Sequence, residues 1–459
     1  MRTTALIVAS ALFMQNLDST VISTALPTMA RAFGADPVHM NVALTSYLLS
    51  LAVFIPASGW MADRFGARTV FRASIAVFTI GSVLCGAASG LGFLVLARIV
   101  QGIGGAMMVP VGRLLLMRNT PKREMVAALA WLTTPALIGP VVGPPLGGFI
   151  VTYFNWRWIF DINVPIGLLG MALVTLYVEE VREPVNARFD WWGLLFSGVA
   201  LGSLMFAFET IGRGAVPLSA DLAMLALAVL SGAGYFLHAK AHVAPLIDFT
   251  LMRVPTFKVS VIGGTLFRIG IGAIPFLLPL MLQLGFGLSP VQSGLITFAS
   301  SAGALAMKPV AVAFLRWFGF RDTLLVNGVI SAVLLALSAA FRPSWPVFWI
   351  YAVLLAGGFF RSLQFTTYNA LAYGEIPRQR MSAATSLYST FQQVSLTMGV
   401  SCGAGALFAA MSVGGHAQPS LGDFSFGFLV VSFVALLAVP VCLMMPRNAA
   451  SDMSGNRSR

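Results

Sequence analysis

The residues with the most distinctive chemistry in this chain are charged side chains that fall inside apolar segments. Asp18 is the one acid well inside the apolar segments of the first 180 residues. A carboxylate in lipid surroundings is costly, so it must pair with a base, face water or take up a proton. We predict that Asp18 exchanges a proton, that Arg98 tunes the proton affinity of a nearby carboxyl, and that Asp18 and Arg268 form the charged floor of a cavity. A buried structural ion pair is the alternative interpretation.

Other polar residues in these segments extend the predicted cavity. Arg361 adds a further positive charge, and Gln15 and Asn16 add neutral hydrogen-bonding groups. Basic groups therefore outnumber acids in the segment interiors, where a desolvated cation is repelled and a carboxylate finds an arginine fork. We predict an anionic or zwitterionic ligand, such as an organic acid or its metal chelate. The competing account is an apolar pocket whose basic neighbours face backbone carbonyls.

The elements that carry these residues are predicted to lie in a membrane. The chain has 459 residues, of which 58% are hydrophobic and 10% are charged, whereas an average soluble protein is about half apolar and a quarter charged. Too few charges remain to cover a wet surface, which argues against a soluble enzyme, a disordered protein and a disulfide scaffold. A mean hydropathy of +0.86, 24 prolines and 45 glycines are typical of a polytopic helical membrane protein.

Apolar stretches set the number of predicted helices. Crossing the hydrocarbon core of roughly 30 Å takes about 20 residues. We predict an all-α polytopic membrane protein with fourteen transmembrane helices and short connections. The predicted spans are 5–26, 41–62, 69–88, 93–117, 125–150, 157–178, 190–211, 220–238, 257–282, 290–314, 321–341, 345–371, 383–411 and 424–445.

Basic residues predict the orientation of these spans. With the N-terminus in the cytoplasm, twenty of the 28 basic residues fall on the cytoplasmic side, four on the opposite side and four inside spans. Arg113, near the end of the fourth span, counts among the twenty. This asymmetry follows the positive-inside rule. It predicts that both termini are cytoplasmic, and it explains the net charge of +12 without a nucleic-acid partner.

The two ends of the chain repeat each other. Residues 121–128 recur at 377–384 with an offset of 256, and residues 65–68 recur at 318–321 with an offset of 253. Parallel six-helix repeats of this kind build one transporter architecture, with the substrate site between the halves. The predicted divisions are an N-terminal six-helix bundle at 1–180, a two-helix linker insert at 190–240, a C-terminal six-helix bundle at 255–446 and a short cytoplasmic tail at 447–459.

A charged loop joins the second and third predicted spans. Gly59 permits close helix approach and Gly66 permits a tight turn. Asp63 can sit at the positive N-terminus of a neighbouring helix. We predict that these residues, with Arg64 and Arg68, form a latch between the two halves on the cytoplasmic side. A charged turn at the membrane surface is the simpler alternative.

The fifth predicted span carries a glycine and proline pattern. Glycines every four residues form a flat face for close helix packing, and prolines kink the helix. A plain packing face explains the glycines but does not predict the prolines between them. The residues of the pattern are Gly139, Gly143, Pro144, Gly147 and Gly148.

These motifs resemble those of one transporter superfamily. The loop from Gly59 to Arg68 resembles the signature loop of the major facilitator superfamily, and the glycine pattern resembles the antiporter motif of drug:proton exporters. Residues 17–27 resemble the first-helix motif of the fourteen-helix drug:proton antiporters, and residues 104–113 are similar to the MdtD-type branch. The resemblance covers essentially the whole chain. It implies two six-helix bundles with an inserted helix pair, and multidrug efflux.

A secondary, ion-coupled transporter is the predicted class, and no enzymatic activity is expected. None of the four lysines follows a glycine, so a Walker loop is absent. The chain also lacks an HExxH motif, which argues against a metalloprotease embedded in the membrane. A channel is the remaining alternative, although a channel does not need two repeated halves. We predict an exporter that exchanges protons for small molecules by alternating access.

The sequence predicts neither a cofactor nor a metal site. His238 and His242 have a spacing that can bind metal, but no carboxylate or thiolate stands beside them in the sequence. The predicted partners are a small-molecule substrate, protons and the lipid bilayer, and the protein is predicted to function as a monomer. The arginine-rich, lysine-poor composition favours a bacterial inner membrane.

Overall fold

The protein is built from α-helices. The computed structural model describes residues 2–34, 40–118, 120–180, 188–210, 216–415, 418–446 and 449–454. Within these residues there is no β-strand, so the all-α prediction is confirmed. The helices are α1 (Arg2–Phe33), α2 (Asn41–Phe54), α3 (Ser58–Phe65), α4 (Ala67–Gly86), α5 (Leu91–Arg118), α6 (Met125–Tyr153), α7 (Trp158–Asp161), α8 (Asn163–Tyr177), α9 (Trp191–Thr210), α10 (Leu218–Ala241), α11 (Pro255–Gly272), α12 (Ile274–Leu280), α13 (Pro290–Met307), α14 (Ala311–Leu337), α15 (Val347–Gly374), α16 (Met381–Gly414), α17 (Leu421–Leu436), α18 (Ala438–Cys442) and α19 (Ser451–Ser454).

Many of these helices are suited to a membrane. Among the described residues, twelve segments are long and apolar enough to cross one. They are Thr4–Ile22, Val42–Phe65, Ala67–Gly86, Leu91–Arg118, Trp158–Tyr177, Trp191–Phe208, Leu218–Ala241, Pro255–Gly285, Val291–Ala340, Val347–Gly374, Arg378–Gly414 and Leu421–Cys442. Large apolar side chains such as Leu96, Leu176 and Leu230 are exposed on their outer faces. Lipid covers such surfaces without cost, so the prediction of a multi-pass membrane protein is confirmed.

The sequence repeat builds the same local structure twice. Pro121 and Pro377 both have extended backbone with ψ of 147°, and each begins a short 3-10 turn that leads into a long helix, α6 or α16. Gly66 and Gly319 both have positive φ, 91° and 71°, at the turn between two helices. Glycine adopts this conformation at little steric cost. The same residues therefore produce the same turns in both copies.

Equivalent helix pairs also pack together in the two repeats. In the first repeat α1 packs on α6, α4 on α5, and α2 on α5; in the second repeat α11 packs on α16, α14 on α15, and α13 on α15. Helices α9 and α10 pair with each other, and α9 also lies against α2 and α16. Contacts between the repeats run through α6 and α16, which touch helices of the opposite repeat. Residues at this junction are therefore the ones that can share a site.

Candidate functional site

A cavity of about 440 Å³ lies between the helices of the two repeats. Its wall includes residues of α1, α2, α5 and α6 on one side and of α11, α12, α13, α15 and α16 on the other. A volume of this size suits a small-molecule ligand. The polar residues of the wall are Gln15, Asn16, Arg113, Ser300, Ser301, Lys308, Arg361, Ser362, Ser389, Gln392 and Gln393.

The predicted cavity residues divide into two groups. Gln15, Asn16 and Arg361 line this cavity. Asp18, Arg98 and Arg268 do not belong to its wall. Each of these three is fully or almost fully buried among other side chains, with at most 1% of its surface exposed.

Asp18 is the centre of a buried polar cluster that ties four helices together. Its Oδ2 accepts a hydrogen bond of 2.7 Å from Nη1 of Arg98 on α5. Its Oδ1 accepts bonds of 2.9 Å from Nε2 of Gln101 and of 2.8 Å from Nδ2 of Asn163 on α8. The same two amides donate to the hydroxyl of Ser82 on α4. Both carboxylate oxygens of Asp18 therefore accept hydrogen bonds although the residue is buried.

Arg98 is held by several neighbours besides Asp18. Its Nε donates to the backbone carbonyl of Ala43 at 3.2 Å, and its Nη1 also donates to Oε1 of Gln101 at 2.5 Å. Its guanidinium lies 4.3 Å from the ring centroid of Tyr47, within reach of a cation–π contact. Removing one partner of such a buried pair leaves an uncompensated charge, which costs about 3–5 kcal/mol. Asp18 is therefore the carboxyl that Arg98 contacts.

Arg268 does not pair with Asp18, and the predicted floor made by these two residues is wrong. Arg268 donates through Nη2 to the hydroxyl of Tyr388. Its guanidinium lies 4.7 Å from the ring centroid of Tyr388 and 5.5 Å from that of Phe365. The sequence places both charges at a similar depth along their helices, but it does not show toward which neighbouring helix each side chain points. In the structure Asp18 points toward α5 and Arg268 points toward α16.

Arg113, which the charge count places on the cytoplasmic side, is a buried residue of the cavity wall. Only 3% of Arg113 is exposed. Its two Nη atoms donate to the hydroxyl of Tyr373 and to Oε1 of Gln392, each at 3.1 Å, and both partners belong to the second repeat. The signal that identifies it is its position inside the apolar run 93–117. Arg113 is thus a buried bridge between the repeats.

The cavity wall carries positive charge. Arg361 donates through Nη2 to the hydroxyl of Ser300, and Nζ of Lys308 donates to the hydroxyl of Thr366 at 3.2 Å. Together with Arg113, these residues bring three basic groups to the wall, and no Asp or Glu is found among its described residues. Guanidinium and ammonium groups bind carboxylate or phosphate oxygens through charge-assisted hydrogen bonds.

Contacts between the repeats close one end of the molecule. Oδ1 of Asp63 accepts a 2.7 Å hydrogen bond from Nη2 of Arg118, and its Oδ2 accepts from the hydroxyl of Ser382 in the first turn of α16. A Cβ on Gly59 would lie 2.8 Å from the carbonyl oxygen of Ser382, so only glycine fits there. One turn further, the hydroxyl of Ser386 donates to two backbone carbonyls that follow α2. Asp63 therefore lies at the N-terminus of a helix of the opposite repeat.

The prediction of a loop at residues 59–68 is wrong, because α3 and the start of α4 cover this segment except for Gly66. Its other motif residues are held within the first repeat. Glu180 accepts hydrogen bonds of 3.1 Å from the backbone N–H groups of Arg68 and Thr69, which caps the start of α4. A Cβ on Gly66 would lie 2.3 Å from Oε1 of Glu180, so the close approach and the positive φ both require glycine. The side chain of Arg64 is exposed. Glu180 was missed because it lies more than 110 residues along the chain from its partners.

The glycine pattern packs α6 closely against α1. A Cβ on Gly143 would lie 2.1 Å from Oγ1 of Thr20, and one on Gly139 would lie 2.9 Å from Cβ of Asn16. Gly148, by contrast, has open space where a Cβ would be. Because Asn16 is part of the cavity wall, this close packing positions one face of the cavity.

The second repeat also packs two helices closely at a glycine. A Cβ on Gly399 of α16 would lie 2.6 Å from the carbonyl oxygen of Ile269 on α11. In the first repeat Gly147 is buried, while the side chain of Pro144 lies outside the described part of the structure. The glycines are therefore a shared packing element of both repeats.

Comparisons with known proteins agree with this architecture. The family described as Major Facilitator Superfamily matches residues 8–400 and 260–457. The chain is 38% identical over 443 residues to the protein provisionally named multidrug resistance protein MdtD of Pectobacterium atrosepticum, covering 95% of this chain and 94% of that protein. It is 36% identical over 462 residues to the protein of the same name from Escherichia coli O8, covering 99% and 96%.

Two solved structures share the fold. The human organic anion transporter MFSD10 (TETRAN) aligns with a TM-score of 0.67 at 13% identity, covering 96% of this chain and 99% of that chain. The proton:xylose symporter XylE aligns with a TM-score of 0.66 at 14% identity, covering 95% and 94%. The predicted resemblance to the superfamily and to its MdtD-type branch is confirmed, and so is the expectation of a transport protein rather than an enzyme. The chain belongs to the Major Facilitator Superfamily.

Proposed function

We propose that this transporter is a proton-coupled antiporter that exports small molecules from the bacterial cytoplasm by alternating access. The observation that carries this proposal is the cavity between the two repeats, with contacts between the repeats at one end, among them the bond from Ser382 to Asp63. Rocking of one repeat against the other breaks these contacts and opens the cavity on that side. The names of the curated relatives support drugs as cargo.

Asp18 is the proposed coupling group. It lies three residues from Gln15, so one helix carries both the cavity wall and the buried cluster. Protonation of Asp18 removes the negative charge that compensates Arg98. A change in protonation therefore changes the stability of the α1–α5 contact, which links proton binding to the arrangement of the helices.

Fourteen spans with both termini in the cytoplasm are the proposed topology. The segment Val291–Ala340 has 50 residues, more than twice what a single span needs. Gly319 interrupts its helical backbone with positive φ, so two spans fit within it. Helix α6, with 29 residues, is also long enough to span. These two additions to the twelve segments support fourteen, and the charge asymmetry of the sequence supports the orientation in the inner membrane.

The proposed division is a bundle at 1–180, an inserted pair at 190–240, a bundle at 255–446 and a tail at 447–459. The repeated packing of equivalent helix pairs supports it. A single chain lines the whole described cavity, which supports function as a monomer.

Transport by reconstituted protein tests the mechanism. Proteoliposomes loaded with an unlabelled compound should take up the labelled compound faster than empty ones, because a carrier exchanges one molecule for another. An imposed pH gradient should drive accumulation. Flux that is not stimulated by the unlabelled compound would indicate a channel. Accumulation that is unchanged by the pH gradient would contradict proton coupling.

Thiol labelling tests the closed end. In a cysteine-free background, Ser386→Cys should react slowly with a membrane-impermeant maleimide, because Ser386 is buried against the carbonyls that follow α2. Adding Asp63→Asn should speed labelling several-fold and lower turnover more than substrate affinity. Glu124→Gln, on the same side, is the matched control. Equal labelling with and without Asp63 would refute the latch.

An organic anion, alone or as a metal chelate, is the second candidate cargo. The observation that favours it is the basic cavity wall formed by Arg113, Lys308 and Arg361, with no acid among its described residues. A panel of cationic dyes, neutral drugs and di- or tricarboxylates distinguishes the two. Anion transport should fall at least about tenfold in Arg361→Gln and persist in Arg342→Gln. Dye export that survives Arg361→Gln, with no carboxylate transport, would exclude this candidate.

A further inference from the structure

The inserted helix pair carries a cluster of metal-binding side chains that the proposed transport mechanism does not use. Asp190, His238 and His242 each place one ligand atom within 4.8 Å of the others. The two histidines are four residues apart at the end of α10, and Asp190 directly precedes α9. No carboxylate stands beside the two histidines in the sequence. The fold supplies that carboxylate from 48 residues away.

The carboxylate of Asp190 is held in place through one oxygen, and its other oxygen is available to bind a ligand. Only 3% of the residue is exposed. Its Oδ1 accepts a 2.8 Å hydrogen bond from the backbone N–H of Gly193, which caps the first turn of α9. The same oxygen lies 2.8 Å from Nε2 of His238. Its Oδ2 is buried and has no hydrogen-bond partner within the described chain, although such groups are rarely left unsatisfied.

The two imidazoles complete the donor set. The rings of His238 and His242 face each other with centroids 5.1 Å apart and an angle of 31° between their planes. The imidazole of His242 accepts a long hydrogen bond, 3.3 Å from the backbone N–H of Ala244 to Nδ1. This ring is therefore weakly held and can turn toward a shared ion. A simple ion pair between Asp190 and His238 does not explain why the second histidine stacks beside them.

We propose that Asp190, His238 and His242 bind a transition-metal dication of the Zn²⁺ type. Two imidazoles and one carboxylate are a common three-residue set for Zn²⁺, with the fourth position left to water or another ligand. In the tetrahedral geometry of Zn²⁺, neighbouring ligand atoms lie about 3.3 Å apart. Oδ1 of Asp190 and Nε2 of His238 lie 2.8 Å apart, so a small outward movement of these side chains reaches this spacing. Rotation of the His242 ring brings in the third ligand. A bound metal joins the start of α9 to the end of α10.

The cluster lies beside the contacts between the repeats, so a bound metal would affect the structure there. The ring of Phe189, next to Asp190, packs on that of Trp60 with centroids 4.8 Å apart, and Trp60 lies on α3, which also carries Asp63. His242 also lines a surface cavity together with Asp63 and Ser382, the residues that close this end. A metal at the cluster therefore fixes the inserted pair beside the contacts between the repeats.

Co²⁺ binding to the full-length protein tests the site, with any polyhistidine tag removed. Equilibrium dialysis should show one Co²⁺ per chain, with the visible absorption bands of a tetrahedral ion, and Zn²⁺ should displace it. His238→Gln and His242→Gln should each weaken binding by at least about tenfold. Asp221→Asn, which removes a carboxylate from α10 near its other end, should leave binding unchanged.

Protein stability provides a second readout. Zn²⁺ should raise the melting temperature of the parent protein and of Asp221→Asn, but not that of His242→Gln. The imidazole of His242 accepts a long hydrogen bond of 3.3 Å from Ala244, so its loss should not unfold the chain. Absence of tetrahedral bands in the parent protein would overturn the proposal. So would bands, or a melting shift, that persist in both histidine variants.

Discussion

The two repeats bury positive charge in different ways. In the first repeat, Arg98 meets Asp18 at 2.7 Å, and two side-chain amides complete the shell of the carboxylate. In the second repeat, Arg361 donates to the hydroxyl of Ser300 and faces the cavity. The first repeat therefore holds a closed ion pair, whereas the second repeat supplies two of the three basic groups of the cavity wall, Lys308 and Arg361.

This difference suggests a division of labour. A closed ion pair changes its charge only when a proton enters, whereas an open guanidinium can bind an anion without any change of protonation. We therefore expect Asp18 and Arg98 to carry proton coupling, and Lys308 and Arg361, together with Arg113, to set the charge preference for cargo. Helix α1 connects the two, since it carries Asp18 in the cluster and Gln15 in the cavity wall.

Replacing Asp18 should break the first half of this comparison. Asp18→Asn should abolish transport driven by a pH gradient. It should also lower the free energy of unfolding by about 3–5 kcal/mol, because Arg98 stays charged and buried. Denaturant titration in detergent and uptake by inverted vesicles measure the two effects. The double variant Asp18→Asn with Arg98→Gln should regain stability but not coupling. Full gradient-driven transport by Asp18→Asn would remove this residue from the mechanism.

Glycine substitutions should show that the packing scheme itself is the same in both repeats. Gly143→Ala and Gly399→Ala should each lower the free energy of unfolding by about 1–3 kcal/mol, since each new Cβ meets atoms of the facing helix. Gly148→Ala is the matched control on the same helix and should change stability by less than about 0.5 kcal/mol. Unequal effects at Gly143 and Gly399 would show that the two copies are packed differently.

Removing Arg361 should cost less stability than removing Arg98. The side chain of Arg361 reaches the cavity and donates to the neutral hydroxyl of Ser300. Arg361→Gln therefore does not leave an opposite charge buried without its partner. We expect a change in unfolding free energy within about 1 kcal/mol. Arg98→Gln, measured by the same titration, is the reference. A similar loss in both variants would mean that the two arginines have the same structural role.

The more exposed ion pair between Arg380 and Asp248 should contribute less to stability than the buried pair between Arg98 and Asp18. Arg380 donates to Asp248 at 2.5 Å, and its side chain is 39% exposed. Burial alone would raise the pKa of Asp248, but hydrogen bonds from Thr250 and Arg380 outweigh it, so the pKa lies below its ordinary value. A lowered carboxyl pKa stabilises the fold above the pKa of the unfolded chain, and this contribution is lost as pH falls through the folded-state pKa.

Arg380→Gln should therefore lower the free energy of unfolding by less than about 1 kcal/mol near neutral pH. The difference from the parent protein should shrink in acid, below the ordinary pKa of an aspartate. Melting curves at both pH values measure it. A difference that grows in acid would contradict the direction of the pKa shift.

Much of the architecture followed from local properties of the sequence. The apolar runs and the scarcity of charge determined an all-α membrane protein, because lipid admits backbone only where its hydrogen bonds are satisfied internally. The repeat predicted matching turns, and Gly66 and Gly319 both adopt positive φ. The loop motif likewise predicted that Asp63 lies at a helix N-terminus, where Ser382 meets it. Each of these depends on a few neighbouring residues.

The partners of the buried charges were decided by the tertiary structure alone. The sequence located Asp18, Arg98 and Arg268 in apolar segments, but only the packed helices pair Asp18 with Arg98 and direct Arg268 to Tyr388. The meeting of Asp190 with His238 across 48 residues is of the same kind. Hydropathy and spacing determine how deep a side chain lies along its helix. Its partner depends on the rotation of that helix and on which helices lie beside it, and these are set by packing across the whole molecule.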